Sequence, residues 1–500
     1  MSGKRHAGWL LRGLALTTAM AGLALRAPAQ NQPGATATQS YSSAATASSL
    51  GASGSNPVAA IAAPQNPFFG SVPAGKATPG ILPLSLRDAV ERGLRYNLGL
   101  LLDEQSTLAE RGARWQALSK LLPHVTTGTT ENRQQINLQA LGFPGGFPGV
   151  PSIVGPFSTF DARVFLSTPV VDFQHLRGER AASDAVRAAE YSEKDARNLV
   201  VLVVGNAYLV VNTGAARVKA VTAEQITAQA LYKQAADRFH AGLSPKIDLL
   251  RAQVELSSRE EQVLAARNDY DTEKLDLARA IGLPTGQNFT LSTQTPYAPL
   301  GGVSLEKALV DAYRNRPDYQ AALAQVQAAE ARRSAITAER LPSITFDANF
   351  GDLGLTPGNS HETFLISGTL HIPVFQGGRV HGDLLQANAE LKQKEDQLAN
   401  LKAQIDYDVR TALMNIQTAA DQVKVARGSV DLSNQALTQA QDRFSAGVTD
   451  NIEVVQAQEA VANADDAYIS SLYQHNLAKV ALARAVGIAE QAVLQYLGGK

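Results

Sequence analysis

Hydrophobic and polar residues alternate in four short segments of this chain, and a period of two is typical of strands with one apolar face. The clearest segments lie at about 342–351 and 363–373. The segment at about 157–168 also alternates, apart from Phe165, and the one at about 123–131 alternates weakly because threonine occurs on both sides. We predict four strands of about ten residues. Their apolar side is formed by Phe160, Val164, Leu166, Ile344, Phe346, Phe350, Phe364, Ile366 and Leu370.

Two long segments have the helical period instead. These segments, at about 176–239 and about 380–444, contain no proline. At 1.5 Å per residue, each segment predicts a helix on the order of 95 Å, a length typical of coiled coils. Gly242 and Gly447 follow these segments, where a glycine with positive φ commonly ends a helix.

The chain is expected to turn back after each long helix. Ser244-Pro245 has the sequence of an N-cap and a first helical residue. The returning helices are expected to end at Gly282 and Gly487. The sequence therefore predicts two helical hairpins, at about 176–282 with its tip at 240–247, and at about 380–487 with its tip at 445–451.

An internal repeat divides the chain into two similar units. Leu84-Ser85-Leu86 recurs as Val303-Ser304-Leu305 at an offset of 219, and Arg238-Phe239-x-Ala241-Gly242 recurs as Arg443-Phe444-x-Ala446-Gly447 at an offset of 205. The difference is explained by a loop, Leu141–Pro156, that is longer in the first unit. We therefore predict a first repeat at 84–282, a linker at 283–302, a second repeat at 303–487 and a C-terminal tail at 488–500.

Each repeat is expected to begin with one helix. The two helices are predicted at about Leu86–Leu121 and about Leu305–Leu341, and each ends at a Leu-Pro pair. Proline lacks the backbone N–H that a continuing helix would need. Each repeat is therefore expected to have the order helix, strand, strand, helix, helix.

The N-terminus has the pattern of a signal peptide. Basic residues precede an uncharged apolar segment, Gly13–Leu25, and Ala27-Pro28-Ala29 provides the small residues at which such peptides are cleaved. We predict that residues 1–29 are removed on export. Residues 30–83 are rich in Ala, Ser, Thr, Gly and Pro and are expected to form a flexible, low-complexity arm.

Composition excludes several classes of function. The 500 residues contain no cysteine, which excludes disulfides, cysteine nucleophiles and a lipidated N-terminal cysteine. A net charge of −1 is unlike that of proteins that coat nucleic acid. No nucleotide-binding or hydrolase motif is present, and His361, His371 and His381 lie at a spacing that fits no metal motif. We therefore expect no catalytic site, no cofactor, no bound metal and no nucleic-acid partner.

Strands with one apolar and one polar face are typical of a membrane β-barrel with lipid outside and water inside. Four strands cannot close a barrel, since the smallest have eight. An open edge in lipid would leave backbone groups without hydrogen-bond partners. Several chains would then have to share one barrel. On the pattern alone, a soluble two-stranded ribbon on each hairpin remains open as an alternative.

The repeated unit resembles the TolC family of outer-membrane efflux proteins. The resemblance rests on the Leu-Pro pairs before the strands, on Pro373-Val374-Phe375-Gln376-Gly377-Gly378 after them, and on the paired Arg-Phe-x-Ala-Gly tips; it covers about residues 84–490. It implies a mainly helical fold with transmembrane strands. Three chains would form a 12-stranded outer-membrane barrel and a twelve-helix periplasmic tunnel, with the linker and the tail forming a belt around the tunnel.

The resemblance also assigns roles to the two tips. In the family the tips dock on a periplasmic adaptor protein, which connects the channel to an inner-membrane pump. The alternative is that the glycines serve only to end the helices. The implied docking residues are Ala241, Gly242, Leu243, Ser244, Ala446, Gly447, Val448 and Thr449.

A periplasmic gate is implied just inside the tips. Asp248, Glu453 and Gln456 match positions that surround the aperture, and Phe444 matches an aromatic residue that holds it closed. Gln456 departs from the acidic pattern and would weaken a ring of carboxylates. The alternative is that Glu453 only caps a helix and Phe444 only packs.

The sequence thus predicts a passive export channel in the outer membrane, without enzymatic activity of its own. The alternative from another functional class is a periplasmic coiled-coil adaptor or scaffold protein. Such a protein would have one helical hairpin flanked by compact β-domains, rather than two hairpins and four strands.

Overall fold

The computed structural model describes residues 66–142, 149, 151–284, 286–292, 297–449 and 451–497. The predicted signal peptide and residues 30–65 of the predicted arm lie outside the described residues, as do Asp450 in the second tip and residues 498–500 of the tail. The described part is mostly helical and contains six strands.

The two halves of the chain contain the same order of principal elements. The first half consists of β1 (Leu82–Leu84), α1 (Leu86–Tyr96), α2 (Leu98–Ser119), β2 (His124–Asn137), β3 (Ile153–Val171), α3 (Phe173–His240) and α4 (Lys246–Ala280). The second half consists of β4 (Phe289–Leu291), α5 (Leu305–Asn315), α6 (Pro317–Ala338), β5 (Ser343–Thr356), β6 (Asn359–His371), α7 (Arg379–Ser445), α8 (Asn451–Val486) and α9 (Ala489–Tyr496).

The helix expected at the start of each repeat is in fact two helices. Asn97 separates α1 from α2 in an extended conformation, and its side chain accepts a hydrogen bond from the backbone N–H of Gly99 at 3.0 Å. Arg316 separates α5 from α6 and precedes Pro317, which disfavours the helical conformation at the residue before it. The prediction of single helices was wrong because an N-cap and a proline each begin a new helix within an uninterrupted apolar pattern.

Four of the strands form one antiparallel sheet with the order β2-β3-β5-β6. All four strands extend beyond the predicted segments at the end away from the helices, and β6, for example, begins at Asn359. The extra residues of β2, such as Arg133 and Gln134, pair with β3 through their backbones. These residues are polar on both sides, so they carry no alternation by which a strand could be predicted.

Part of the predicted flexible arm is built into the fold. Residues 82–84 form β1, which pairs in parallel with β4 of the linker. Further back, the backbone N–H of Ala74 donates to Gly282 O at 3.2 Å, and that of Thr78 donates to Gln287 Oε1 at 2.7 Å. The prediction of a flexible arm was therefore wrong for residues 66–83, which form a strap over the end of α4. Composition alone missed it because these contacts are mostly made by the backbone.

The main core lies where α3 passes the ends of the other helices. Val200, Val204 and Tyr208 of α3 are buried against Val493 of α9 and Ile281 at the end of α4. By length and composition α3 is apolar enough to cross a membrane. Its uncharged segment instead belongs to this protein core, in agreement with the charged residues at the matching positions of α7. The helix α9 gives the predicted tail a structural role in covering α3.

Partly buried ion pairs lie beside this core, and the first of them connects the two halves. Arg484 of α8 contacts Asp195 of α3 at 2.7 Å, and Arg316 contacts both Asp318 at 2.6 Å and Asp408 of α7 at 3.0 Å. Burial raises the pKa of Asp195, although Arg484 opposes this shift. Removing one member of such a group leaves a buried charge without compensation, which commonly costs about 3–5 kcal/mol.

A buried histidine predicts how stability depends on pH. His475 of α8 is 1% exposed, and its ring lies 4.8 Å from that of Tyr297, measured between centroids. Burial, and then the nearby Lys479, lower the pKa of His475 from 6.5 to about 4. The folded protein therefore resists protonation that the unfolded chain accepts. Stability should fall by about 3 kcal/mol between pH 6.5 and pH 4 through this group.

The test is the fall in apparent melting temperature between pH 7 and pH 4. We expect the fall to be smaller in His475→Gln than in the unmodified protein. The control is His240→Gln, which changes an exposed histidine at the first tip and should leave the fall unchanged. An equal fall in all three proteins would contradict the assignment.

Candidate functional site: the helical tips and the two faces of the sheet

Both hairpin tips have the same backbone geometry. Gly242 and Gly447 each have a φ of +74°, and no neighbouring atom lies within 4 Å of the Cβ that another residue would carry. The N–H of Gly242 donates to Phe239 O and that of Leu243 to Arg238 O, at 2.9 and 2.8 Å. The second tip repeats this pattern from Gly447 and Val448. This Schellman geometry satisfies the last carbonyls of both long helices.

The tips expose apolar side chains where a short polar turn would be usual. Leu243 is 72% exposed and Val448 is 70% exposed. Ala241 and Ala446 are the C-caps of α3 and α7, so these small residues lie beside the exposed pair. The eight predicted tip residues thus form two matching turns, each with one large apolar side chain in solvent.

The prediction that Ser244 caps α4 was wrong. The helix begins at Lys246, and Pro245 is the N-cap in an extended conformation with a ψ of 153°. Ser244 Oγ is buried and has no hydrogen-bond partner among the described residues. The pair Ser-Pro has the expected sequence, but the turn needs one more residue before the helix can begin.

Phe444 lies between the two hairpins and is 4% exposed. It packs in a small apolar cluster with Leu231 of α3 and Val454 of α8. The guanidinium of Arg238 lies 4.6 Å from the centroid of the Phe444 ring, and Arg238 Nη1 donates to Phe444 O at 2.7 Å. Arg238 therefore binds both the ring and the backbone of the residue opposite it. The repeated Arg-Phe motif was the sequence signal for this contact, but the sequence alone predicted no function for its arginines.

A second contact joins the hairpins on the returning helices. Asn451 Nδ2 donates to the backbone O of Asp248 at 3.3 Å, and both residues are buried. The carboxylate of Asp248 lies 3.7 Å from Arg251 on its own helix. The predicted gate residue Asp248 thus lies at the contact between α4 and α8.

The other two predicted gate residues are more exposed. Glu453 forms an ion pair with Arg443 at 3.2 Å, which joins the two helices of the second hairpin. Gln456 is exposed and lines a groove between α4 and α8. The groove is otherwise mostly apolar and includes Ile247, Leu250, Val254, Ile452 and Val455. The structure therefore brings the four gate residues to one end of the hairpins, with different partners.

The register of the sheet places all nine predicted apolar strand residues on one face. Val164 lies opposite Phe350, which in turn lies opposite Phe364. Leu166 and Ile366 lie opposite Ala348 on its two sides. Directly paired residues project to the same side of a sheet. The remaining members, Phe160, Ile344, Phe346 and Leu370, have the same parity along their strands.

The opposite face of the sheet is mainly polar. Arg163 donates to Asp161 at 2.7 Å and to Asn349 at 3.3 Å, and Ser167 donates to Asp347 at 2.7 Å. The hydrogen bonds join side chains of one face, and those to Asn349 and Asp347 cross from β3 to β5. The sheet therefore has one face suited to lipid and one suited to water.

The chain is similar to proteins of known families along most of its length. The family model described as Outer membrane efflux protein matches residues 104–283 and 308–488. The toluene efflux pump outer membrane protein TtgF of Pseudomonas putida is 24% identical, over 80% of this chain and 83% of that protein. The outer membrane protein TolC of Vibrio cholerae is 23% identical, over 87% of this chain and 98% of that protein.

A solved structure has the same fold. A membrane protein from Pseudomonas aeruginosa aligns with a TM-score of 0.72 at 20% identity, over 83% of this chain and 98% of that chain.

Proposed function

Because the chain belongs to the outer membrane efflux protein family, we propose that three copies form an export channel of the outer membrane. The observation that carries the proposal is the sheet, which has one apolar face and two edge strands, β2 and β6. Among the described residues, each edge strand is paired on one side only. Three such sheets joined edge to edge would give twelve strands, leave no open edge in lipid and enclose the polar face.

The helical hairpins would continue this channel into the periplasm. The helices α3 and α7 have 68 and 67 residues, so each is about 100 Å long. Three copies would contribute six hairpins around one axis. The belt around the tunnel would come from the linker and α9, together with the strap of residues 66–83. The channel itself would be passive, since it would offer a path and no source of energy.

Engineered disulfides test the shared barrel, and the absence of cysteine leaves no background. Thr127→Cys on β2 is combined with one cysteine at a time on β6, at positions 364, 366, 368 and 370. We expect at least one pair to produce covalent trimers on a denaturing gel. The internal control is Val164→Cys with Phe350→Cys, which lie opposite each other within one chain. If that control forms and no β2–β6 pair does, the shared barrel is contradicted.

The two tips would dock on a periplasmic adaptor protein, which would connect the channel to an inner-membrane pump. The exposure of Leu243 and Val448 supports this role, because a partner helix could bury both side chains. The glycines beside them leave space for a close approach. A pump as the further partner is supported by the relative TtgF, which is named as part of a toluene efflux pump.

The contacts between the tips would hold the periplasmic end closed. The contact of Arg238 with Phe444 joins α3 to α7, and the hydrogen bond from Asn451 to Asp248 joins α8 to α4. Opening would separate the hairpins and break these contacts. Glu453 and Gln456 would then line the aperture with one charged and one neutral side chain per copy, which makes for weak cation selectivity.

The alternative of an adaptor or scaffold protein finds no support in the fold. Such a protein was expected to have a single hairpin flanked by compact β-domains. The described residues instead contain two hairpins and one four-stranded sheet with an apolar face.

A further inference from the structure

The polar face of the sheet carries apolar side chains that its water-facing role does not explain. All four strands share four rows of residues on this face. Within these rows the large apolar side chains are Phe165, Leu365 and Leu353. Phe165 and Leu365 share one row, because both lie opposite Asn349, and the row is completed by Thr126 of β2. Phe165 is 37% exposed and Leu365 is 56% exposed.

The neighbouring residues position the Phe165 ring. Gly128 on β2 lies beside the ring, and a Cβ there would lie 3.7 Å from Phe165 Cε2, at ordinary van der Waals distance. The guanidinium of Arg163 lies 5.3 Å from the centroid of the ring. Arg163 is itself held by Asp161 and Asn349, so its charge is neutralised and its position is fixed. The ring is thus supported on one side by the Arg163 guanidinium, whose charge is balanced by Asp161.

The width of the proposed barrel determines whether a passing solute would contact this row. Twelve strands spaced about 4.8 Å apart and tilted by about 40° give a barrel about 24 Å wide between backbones. Facing sheets pack about 10 Å apart, so a side chain extends about 5 Å from its backbone. The free width at this row is therefore about 14 Å, close to the width of a solute with several rings.

We propose that Phe165 and Leu365 of three copies form an apolar collar of six side chains within the lumen. The collar contacts the aromatic or aliphatic part of a passing amphiphilic solute and retains it briefly. This inference rests on the proposed trimeric channel, in which the polar face lines the lumen. It assigns a solute-binding step to the barrel itself, separate from the periplasmic gate.

The experiment measures interruptions of ion current through the purified trimer in a planar bilayer. Chloramphenicol, a neutral aromatic solute, is the probe. It is added to the chamber into which the barrel opens, opposite the helical tips. The unmodified protein should show transient blocks. Phe165→Ser with Leu365→Ser should shorten their mean duration about tenfold, because aromatic and apolar contacts to the probe are lost.

The matched control is Leu353→Ser, which removes an apolar residue from the same face about 13 Å along β5. Block durations in this variant should equal those of the unmodified protein. Equal shortening in both variants would overturn the collar, because it would trace the effect to general polarity of the lumen. Unchanged durations in the double variant, or in Phe165→Thr with Leu365→Thr if the first does not assemble, would also overturn it. A trimer that stays without conductance even when Arg238→Met removes the contact between the tips would instead contradict the channel itself.

Discussion

Replacing the two exposed apolar residues of the tips by aspartate should abolish efflux while the protein still folds and assembles. Leu243→Asp with Val448→Asp places charges on side chains that are 72% and 70% exposed, so little folding energy depends on them. Burial of two aspartates against a partner helix would be unfavourable, since a buried charge without a partner is costly. The expected result is loss of resistance to exported compounds by tenfold or more, measured as minimal inhibitory concentration.

A matched control keeps the apolar character at the same positions. Leu243→Ile with Val448→Ile should retain most of the resistance, and both double variants should form trimers in equal amount. Retained resistance in the aspartate variant would contradict docking at the tips. Lost assembly in that variant would favour the alternative that the tips have a structural role only.

Removing the cation that holds Phe444 should open the periplasmic end. Arg238→Met keeps much of the aliphatic stem but loses the contact with the ring and the hydrogen bond to Phe444 O. A cation–π contact contributes about 0.5–2 kcal/mol and a charged hydrogen bond about 1.5–3 kcal/mol. Since 1.4 kcal/mol is tenfold, the open fraction should rise at least about tenfold, seen as higher conductance and antibiotic sensitivity.

The gate residues should differ in the size of their effect. Phe444→Ala should raise conductance as Arg238→Met does, since it removes the ring from the cluster between the hairpins. Glu453→Gln should have a smaller effect, because its ion pair with Arg443 is partly exposed and such pairs contribute about 0–1 kcal/mol. The control is Arg251→Met, which should change conductance little because this arginine approaches Asp248 only to 3.7 Å. Unchanged conductance in both Arg238→Met and Phe444→Ala would exclude these residues from the gate.

Most of the fold could be predicted from the hydrophobic periodicity and the internal repeat. The predicted family and the outer-membrane location are confirmed, and so is a mostly helical fold with strands. The face of each strand could be predicted because a period of two leaves only one register that keeps Phe346, Phe350 and Phe364 together. The long helices could be predicted because neither contains a proline.

The features that sequence reasoning missed depend on contacts between distant parts of the chain. Residues 66–83 are held by backbone hydrogen bonds to Gly282 and Gln287, which no composition reveals. The break at Asn97 is stabilised by its bond to Phe68 O, 29 residues away, at 2.7 Å. Arg238 was visible in a repeated motif, but its partner Phe444 could be identified only after the two hairpins were placed side by side.

The most direct test of the channel is the native mass and membrane fraction of the expressed mature chain, extracted in mild detergent and lightly crosslinked. The account predicts a trimer in the outer-membrane fraction, because only a shared barrel satisfies the edges of β2 and β6 in lipid. A monomer or dimer that is soluble in the periplasm would contradict the account and would favour a scaffold role for the two hairpins.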